Sequence, residues 1–266
     1  DLNRMIATLK LKTSAAAVIV KHSNPCGVAL AENVAAALAL ALAGDPVSSF
    51  GGILAFNVDV DEATAKFLSD KFVEVIIAPN YSPAALRIFS VKKNLRLLVV
   101  PMDKDLEFPF MIRSITGGWV VQKEDAGFSA EKFESVTEKK FAENQLPLVY
   151  FGIIATKHLR SNAISLVHET QGQMQLIGAG MGNPNRVISV KETMEKAKAN
   201  GLQSFAQAVL VSDAFFPFRD TVDLAHQYNI KWIVQPGGSI KDNEVISAAN
   251  ENQMAMIFTG VRHFRH

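Results

Sequence analysis

The stretch AQAVLVSDAFFPFRDTVDLAHQYNIKWIVQPGGSIKDNEVISAANENQMAMIF, residues 206–258, decides the fold class. Its Val- and Ile-rich runs are short and alternate with amphipathic segments, the pattern of strands alternating with helices in an α/β sheet. The periodicity predicts strands at 206–211, 231–234 and 254–258, and helices at 220–228 and 242–250. Working outward, a strand is expected at 173–177, and the same rhythm returns nearer the N-terminus. There it predicts strands at 15–20, 52–56 and 73–77 and helices at 32–43 and 62–69. Between the two units, 101–148 is richer in charge and proline and only weakly periodic. The expected division is therefore 1–115 for the first α/β unit and 116–266 for a connecting region plus the second. The halves share a rhythm but no sequence repeat.

Composition narrows the function class. The chain has 266 residues, 48% hydrophobic and 20% charged, enough to bury a substantial core. Charges nearly cancel, 27 Lys and Arg against 26 Asp and Glu, which argues against a non-specific grip on nucleic acid or on an anionic membrane. The single cysteine, Cys26, excludes an internal disulfide and a thiolate zinc knuckle, and suits a reducing compartment. The longest apolar run, 34–43, is half of the ~20 residues that a spanning helix needs. The expectation is a cytoplasmic protein working on small molecules. Its first residue is Asp1 rather than methionine, and a strand follows by Ala15, which reads as part of a longer polypeptide.

In open α/β sheets ligands bind beyond the carboxyl ends of the strands, where loops converge and helix N-termini present N–H groups. Five such loops draw notice. Lys21-His22 follows the strand at 15–20 and is the best acid/base candidate, because histidine titrates near neutrality and a neighbouring cation favours its neutral form. A surface lysine beside a capped histidine is the bland alternative. Gly178, Gly180 and Gly182 miss the dinucleotide fingerprint, since Asn183 stands where a third glycine is required. That stretch reads equally as a turn delivering N–H groups and Arg186 to an anion, or as a tight turn with a surface arginine. Phe215-Phe216-Pro217-Phe218, flanked by Asp213 and Asp220, reads as core or as an aromatic wall for a planar ring. The loop 235–239 is the fourth, and the tail 259–266, with Arg262, His263 and His266, is the fifth. The two tail histidines are spaced like a helical pair, but no carboxylate or third ligand accompanies them in the sequence, so no metal is expected. A zinc deaminase needs P-C-x-x-C, and here Pro25-Cys26 is followed by Ala29 in place of the second cysteine.

Eight ordered motifs then combine: KHSNPCG at 21–27, SSFGGILAFN at 48–57, EVIIAP at 74–79, RSNAI at 160–164, GNPNRV at 182–187, SDAFFPFRD at 212–220, QPGGSIKDNEVI at 235–246 and TGVRHFRH at 259–266. In order and over nearly the whole chain they resemble the aminoimidazole carboxamide ribonucleotide (AICAR) formyltransferase portion of the bifunctional purine biosynthesis proteins. The resemblance implies an α/β fold of two cytidine deaminase-like subdomains without the zinc site. It implies transfer of a formyl group from the co-substrate 10-formyltetrahydrofolate to the 5-amine of AICAR, at sites lying in a homodimer interface, with no catalytic metal.

By the same resemblance His22 is the proton acceptor, Lys21 stabilises developing charge, and Asn162 orients the substrate and the histidine. Gly51, Glu74, Arg186, Phe215, Arg262 and His266 fall on the nucleotide side, and Val187, Pro217, Asp220, Ser239 and Ile240 on the folate side. Asn183 replaces the usual Gln, and Glu74 stands where some relatives carry Asp. The Arg-Tyr-Gly stretch that the family places upstream of the Lys-His loop, and the cyclohydrolase domain of the full-length polypeptide, lie outside this sequence. A fragment that binds purine ribonucleotide or folate without turnover, and a sugar- or nucleotide-phosphate enzyme of another α/β family, are the alternatives.

Overall fold

A computed structural model describes residues 1–2, 5, 15–101, 110–125, 127 and 132–266. Its strands are β1 (Ala15–Lys21), β2 (Asn24–Ala31), β3 (Ile53–Phe56), β4 (Val75–Ala78), β5 (Arg96–Val99), β6 (Phe110–Ile115), β7 (Gly118–Lys123), β8 (Glu134–Ser135), β9 (Ile164–Thr170), β10 (Gln173–Gly180), β11 (Val209–Ser212), β12 (Trp232–Gln235) and β13 (Ala255–Phe258). Seven α-helices lie among the described residues: α1 (Val34–Gly44), α2 (Glu62–Leu68), α3 (Pro83–Phe89), α4 (Leu146–Lys157), α5 (Arg186–Ala199), α6 (Asp220–Gln227) and α7 (Asp242–Glu251). Local chemistry sets several of these starts. Asn33, Asp61, Ser82 and Asn185 each accept a backbone N–H of the first helical turn, the standard N-cap arrangement.

Eleven strands form one sheet in the order β5-β4-β3-β1-β2-β10-β9-β11-β12-β13-β8, while β6 and β7 pair separately as a hairpin. The order contains a repeat. In the first half an antiparallel hairpin, β1-β2, is followed by β3 antiparallel to β1, with β4 and β5 then added in parallel. In the second half the hairpin β9-β10 is followed by β11 antiparallel to β9, with β12 and β13 then added in parallel. The two units meet where β2 pairs with β10, Leu30 opposite Met174. Helices α1–α3 and α5–α7 cover one face, burying residues such as Ile19, Leu38 and Phe56 in the first unit and Leu166, Met194 and Phe216 in the second. The other face is packed by α4, which buries Phe151 and Ile153 against residues that include Val28, Val167, Val211 and Ile257.

The strands and helices read at 15–20, 52–56, 62–69, 231–234, 242–250 and 254–258 are present with ends shifted by a residue or two. Two readings need correction. The loop expected at 21–27 is shorter: residues 24–27 belong to the buried strand β2, so only His22 and Ser23 separate the hairpin strands. The Pro, Gly and Ala content of β2 has poor strand propensity, and its place between β1 and β10 overrides that preference. Gly178 and Gly180 are likewise inside a strand, β10, not in a loop. A Cβ on Gly178 would stand 2.3 Å from the Thr193 carbonyl oxygen, and one on Gly180 would stand 2.0 Å from that of Ser189. These glycines let α5 approach the sheet; only Gly182, at φ +71, serves a turn. No helix among the described residues is long and apolar enough to cross a membrane.

Candidate active site

Strand direction gathers the candidate residues at one edge of the sheet. Strand β1 ends there, β3, β4 and β9 begin there, and β10, β11, β12 and β13 end there. The edge therefore combines the hairpin turn of the first unit with the strand-end loops of the second.

The first unit supplies Lys21, His22, Gly51 and Glu74. His22 and Ser23 both have positive φ, 50° and 65°, which makes the two-residue turn of a tight hairpin without a glycine. The His22 side chain is exposed and has no hydrogen-bond partner among the described residues. Lys21 is turned aside, its ammonium donating to the Phe50 carbonyl and lying 6.0 Å from the Phe50 ring centroid. Gly51 adjoins it: at φ +67, a Cβ there would stand 3.0 Å from the Phe72 ring and 3.5 Å from Lys21 Nζ. Glu74 is exposed just before β4. Cys26 is buried in β2 with its thiol towards the Ile19 carbonyl and the Ser49 hydroxyl, and burial raises its pKa.

The second unit is organised around Arg186. The Asn185 cap places it first in α5, and it is buried rather than on the surface. Its guanidinium donates to Asp213 Oδ1 at 2.5 Å, Ser212 Oγ at 2.9 Å, the Ala163 carbonyl at 3.4 Å and Asn162 Oδ1 at 2.8 Å. Asn162 in turn donates from Nδ2 to the Asn183 carbonyl at 2.9 Å, so its amide is held at both ends. Asp213 is fully buried, and its Oδ2 has no partner among the described residues. Asn183 donates to Glu192 Oε2 at 2.7 Å.

The aromatic run divides by position. Phe216 is core, Phe218 is exposed, and half-buried Phe215 carries the Arg262 guanidinium 4.6 Å from its ring centroid. Pro217, Asp220 and Ile240 are exposed, while Val187 and Ser239 are half-buried. Asp242 fixes the Ser239 loop by accepting the N–H groups of Gly238 at 2.7 Å and Ser239 at 3.2 Å.

The tail 259–266 is irregular rather than helical, so its histidines do not form a helical pair. His266 is exposed, and its carbonyl accepts from Arg113 of β6. His263 is buried, and a carboxylate does accompany it: its Nδ1 lies 2.6 Å from Asp125 Oδ2. Burial by itself would raise the Asp125 carboxyl, but the bonds from His263 and the Gly127 N–H hold it below the usual carboxylate range. Asp125 and Asp242 stand 138 and 3 positions from their respective partners His263 and Ser239. The first link has no local sequence signal; the second is an Asp at the start of a predicted helix and was open to discovery. Among the described residues no group of three or more His, Cys, Asp or Glu side chains is placed to hold a metal ion.

Comparison with known proteins places the chain in a family. The bifunctional purine biosynthesis protein PurH of Aquifex aeolicus (strain VF5) is 43% identical over 263 residues, 99% of this chain and 50% of its own length. Its namesake from Lysinibacillus sphaericus (strain C3-41) is 44% identical over 269 residues, 100% of this chain and 51% of its own length. The chain thus spans about half the length of the curated relatives it matches. With residues 1–196 matching the family described as AICARFT/IMPCHase bienzyme, the chain belongs to that family.

Proposed function

We propose that this chain is a phosphoribosylaminoimidazolecarboxamide formyltransferase, moving the formyl group of 10-formyltetrahydrofolate to the 5-amine of AICAR to give formyl-AICAR and tetrahydrofolate. The observation that carries this reading is the turn at Lys21-His22. Each left-handed non-glycine residue costs ~1–2 kcal/mol, and the equivalent turn of the second unit, Gln171-Gly172, uses a glycine at its second position. A strained turn that presents an imidazole with no partner among the described residues, next in sequence to a lysine whose ammonium is held on the Phe50 carbonyl, suits a site that needs both groups.

The AICAR amine is conjugated with its ring and is a poor nucleophile until deprotonated. His22 accepts that proton as the new C–N bond forms to the formyl carbon. Lys21 balances charge developing on the formyl oxygen, and the bond from the formyl carbon to folate N10 breaks with a proton passing to that nitrogen. Phe215 and Arg262 offer a ring surface and a cation to the ribonucleotide, with Gly51, Glu74, Arg186 and His266 as its other contacts. Val187, Pro217, Asp220, Ser239 and Ile240 line the folate side, and Asn162, fixed by Arg186, orients the nucleotide.

We propose further that the units within 1–115 and 116–266 are deaminase-like subdomains that have lost zinc. The repeated hairpin-plus-parallel-strand order supports this, as does Ala29 at the place of the second thiolate. A homodimer is the proposed assembly. Lys21 on β1 and Phe215 after β11 are four strand spacings apart, about 19 Å, which favours sites completed by a second copy. A cytoplasmic location fits the single buried cysteine.

The test is to supply AICAR and 10-formyltetrahydrofolate and follow tetrahydrofolate release. His22→Asn, which keeps a residue tolerant of the left-handed turn, should lower turnover by ~10²–10⁴-fold with nucleotide binding nearly intact. Unchanged turnover in that variant would remove His22 as the base. Nucleotide binding without turnover in the parent chain would favour the non-catalytic alternative.

A further inference from the structure

Arg262 sits on an irregular segment, and segments near a chain end fray unless they are tied down. The backbone of 259–266 is fastened at several points. Thr259 N–H donates to the Gln235 carbonyl, Gly260 N–H to that of Pro236 and His263 N–H to that of Asp213, all within 3.0 Å. Ser161 N–H donates to the Arg265 carbonyl at 2.8 Å, and Arg265 N–H returns a bond to Ser161 Oγ at 3.0 Å.

One side-chain anchor has no part in the chemistry described above. His263 is 3% exposed, the least exposed side chain of 260–266, and its Nδ1 meets Asp125 Oδ2 at 2.6 Å. The other Asp125 oxygen accepts the Gly127 N–H at 2.9 Å, so the carboxylate is itself held. His263 is buried while its neighbours Arg262 and Phe264 are exposed, so the residue held inward by Asp125 leaves Arg262 facing outward. There the Arg262 guanidinium lies over Phe215 and close to Gly238, where a Cβ would stand 3.6 Å from its Nη2. Asp125 lies two residues beyond β7, so the anchor also ties the tail to the β6-β7 hairpin, from which Arg113 bonds the His266 carbonyl.

We infer that Asp125 and His263 form a positioning pair that fixes Arg262 over Phe215 and so sets how tightly the nucleotide is held. The inference rests on the reading of Arg262 as a nucleotide contact, and its test has one arm that does not. Asp125 is partly exposed, so truncating it leaves no core cavity. In Asp125→Ala the amides of 261–266 should lose hydrogen-exchange protection while those of β11 and β12 keep theirs. AICAR affinity measured by calorimetry should fall roughly tenfold, folate affinity should hold, and Asp125→Asn, which keeps an acceptor for the imidazole, should recover most of the loss. In an Arg262→Ala background Asp125→Ala should cost less than about twofold more, because both changes act through one group. Unaltered exchange in 261–266, or losses that simply multiply in the double variant, would overturn the pair. A parent chain that binds no AICAR would refute the nucleotide reading and leave the exchange result to decide the pair by itself.

Discussion

Arg186 is the residue on which the second unit's part of the site depends. Its guanidinium is the only positive charge hydrogen-bonded to the fully buried Asp213 carboxylate among the described residues, and it also aligns Asn162. Removing one member of a buried ion pair strands the other charge, at a cost of ~3–5 kcal/mol. Arg186→Met should therefore lower the unfolding free energy, read from urea denaturation, by an amount in that range, and adding Asp213→Asn should recover a substantial part by removing the stranded charge. A shift of less than ~1 kcal/mol for Arg186→Met would mean that Asp213 finds other compensation. In the sequence Arg186 reads as the end of a glycine-rich stretch, either facing an anion or lying on the surface, and the resemblance puts it on the nucleotide side; neither shows it buried. Its burial depends on Asp213, 27 positions away, and no local pattern reports a contact at that separation.

At the scale of elements, the contact of α5 with β10 depends on the absence of two side chains. Gly180→Ala would drive a methyl into the Ser189 carbonyl of α5, and helix backbone, unlike the end of a flexible side chain, has little room to yield. Gly182→Ala meets nothing within 4 Å and bears only the cost of its positive φ, ~1–2 kcal/mol. Gly180→Ala should thus lower the thermal midpoint several times more than Gly182→Ala, as scanning calorimetry would read; equal effects would refute the close-packing role. Spacing by itself read both glycines as part of a turn, either for an anion or simply tight. Helix α7 was legible because its buried residues Val245, Ala248 and Ala249 recur at helical spacing, and β12 and β13 because they are short apolar runs bounded by polar and glycine-rich segments. Strand β2 was not, because NPCGVALA opens on NPCG, whose Asn, Pro and Gly read as a loop, although Pro25 to Ala31 are buried in a central strand. The five strand-end loops were legible as a group because polar, Gly- and aromatic-rich segments follow apolar runs, and strand direction then places all five at one edge.

For the whole molecule, the topological repeat explains why that edge needs both units. The pairing of β2 with β10 sets the units in opposite senses, so the hairpin turn of one lies beside the strand ends of the other. The repeat was invisible in sequence because the halves share only a rhythm, and strand order is fixed by pairing across long separations. The same view isolates the β6-β7 hairpin, which joins no other strand among the described residues and whose strand residues are all exposed. Phe110, Ile112, Trp119 and Val121 share one of its faces, with Ile112 opposite Val121 and Trp119 70% exposed. A lone hairpin is marginal in water, and an apolar face of this kind marks a contact surface. If that surface joins two copies, the parent chain should run in light scattering at twice its 29.0 kDa mass. Ile112→Lys combined with Val121→Glu places opposite charges directly across the strands, which preserves hairpin pairing while removing the apolar face. That variant should run as a monomer with its circular dichroism unchanged, and formyl transfer should fall with dimerisation because each site then lacks its second contributor. A variant that stays dimeric would place the interface elsewhere; a monomer with full activity would show that one copy completes the site by itself.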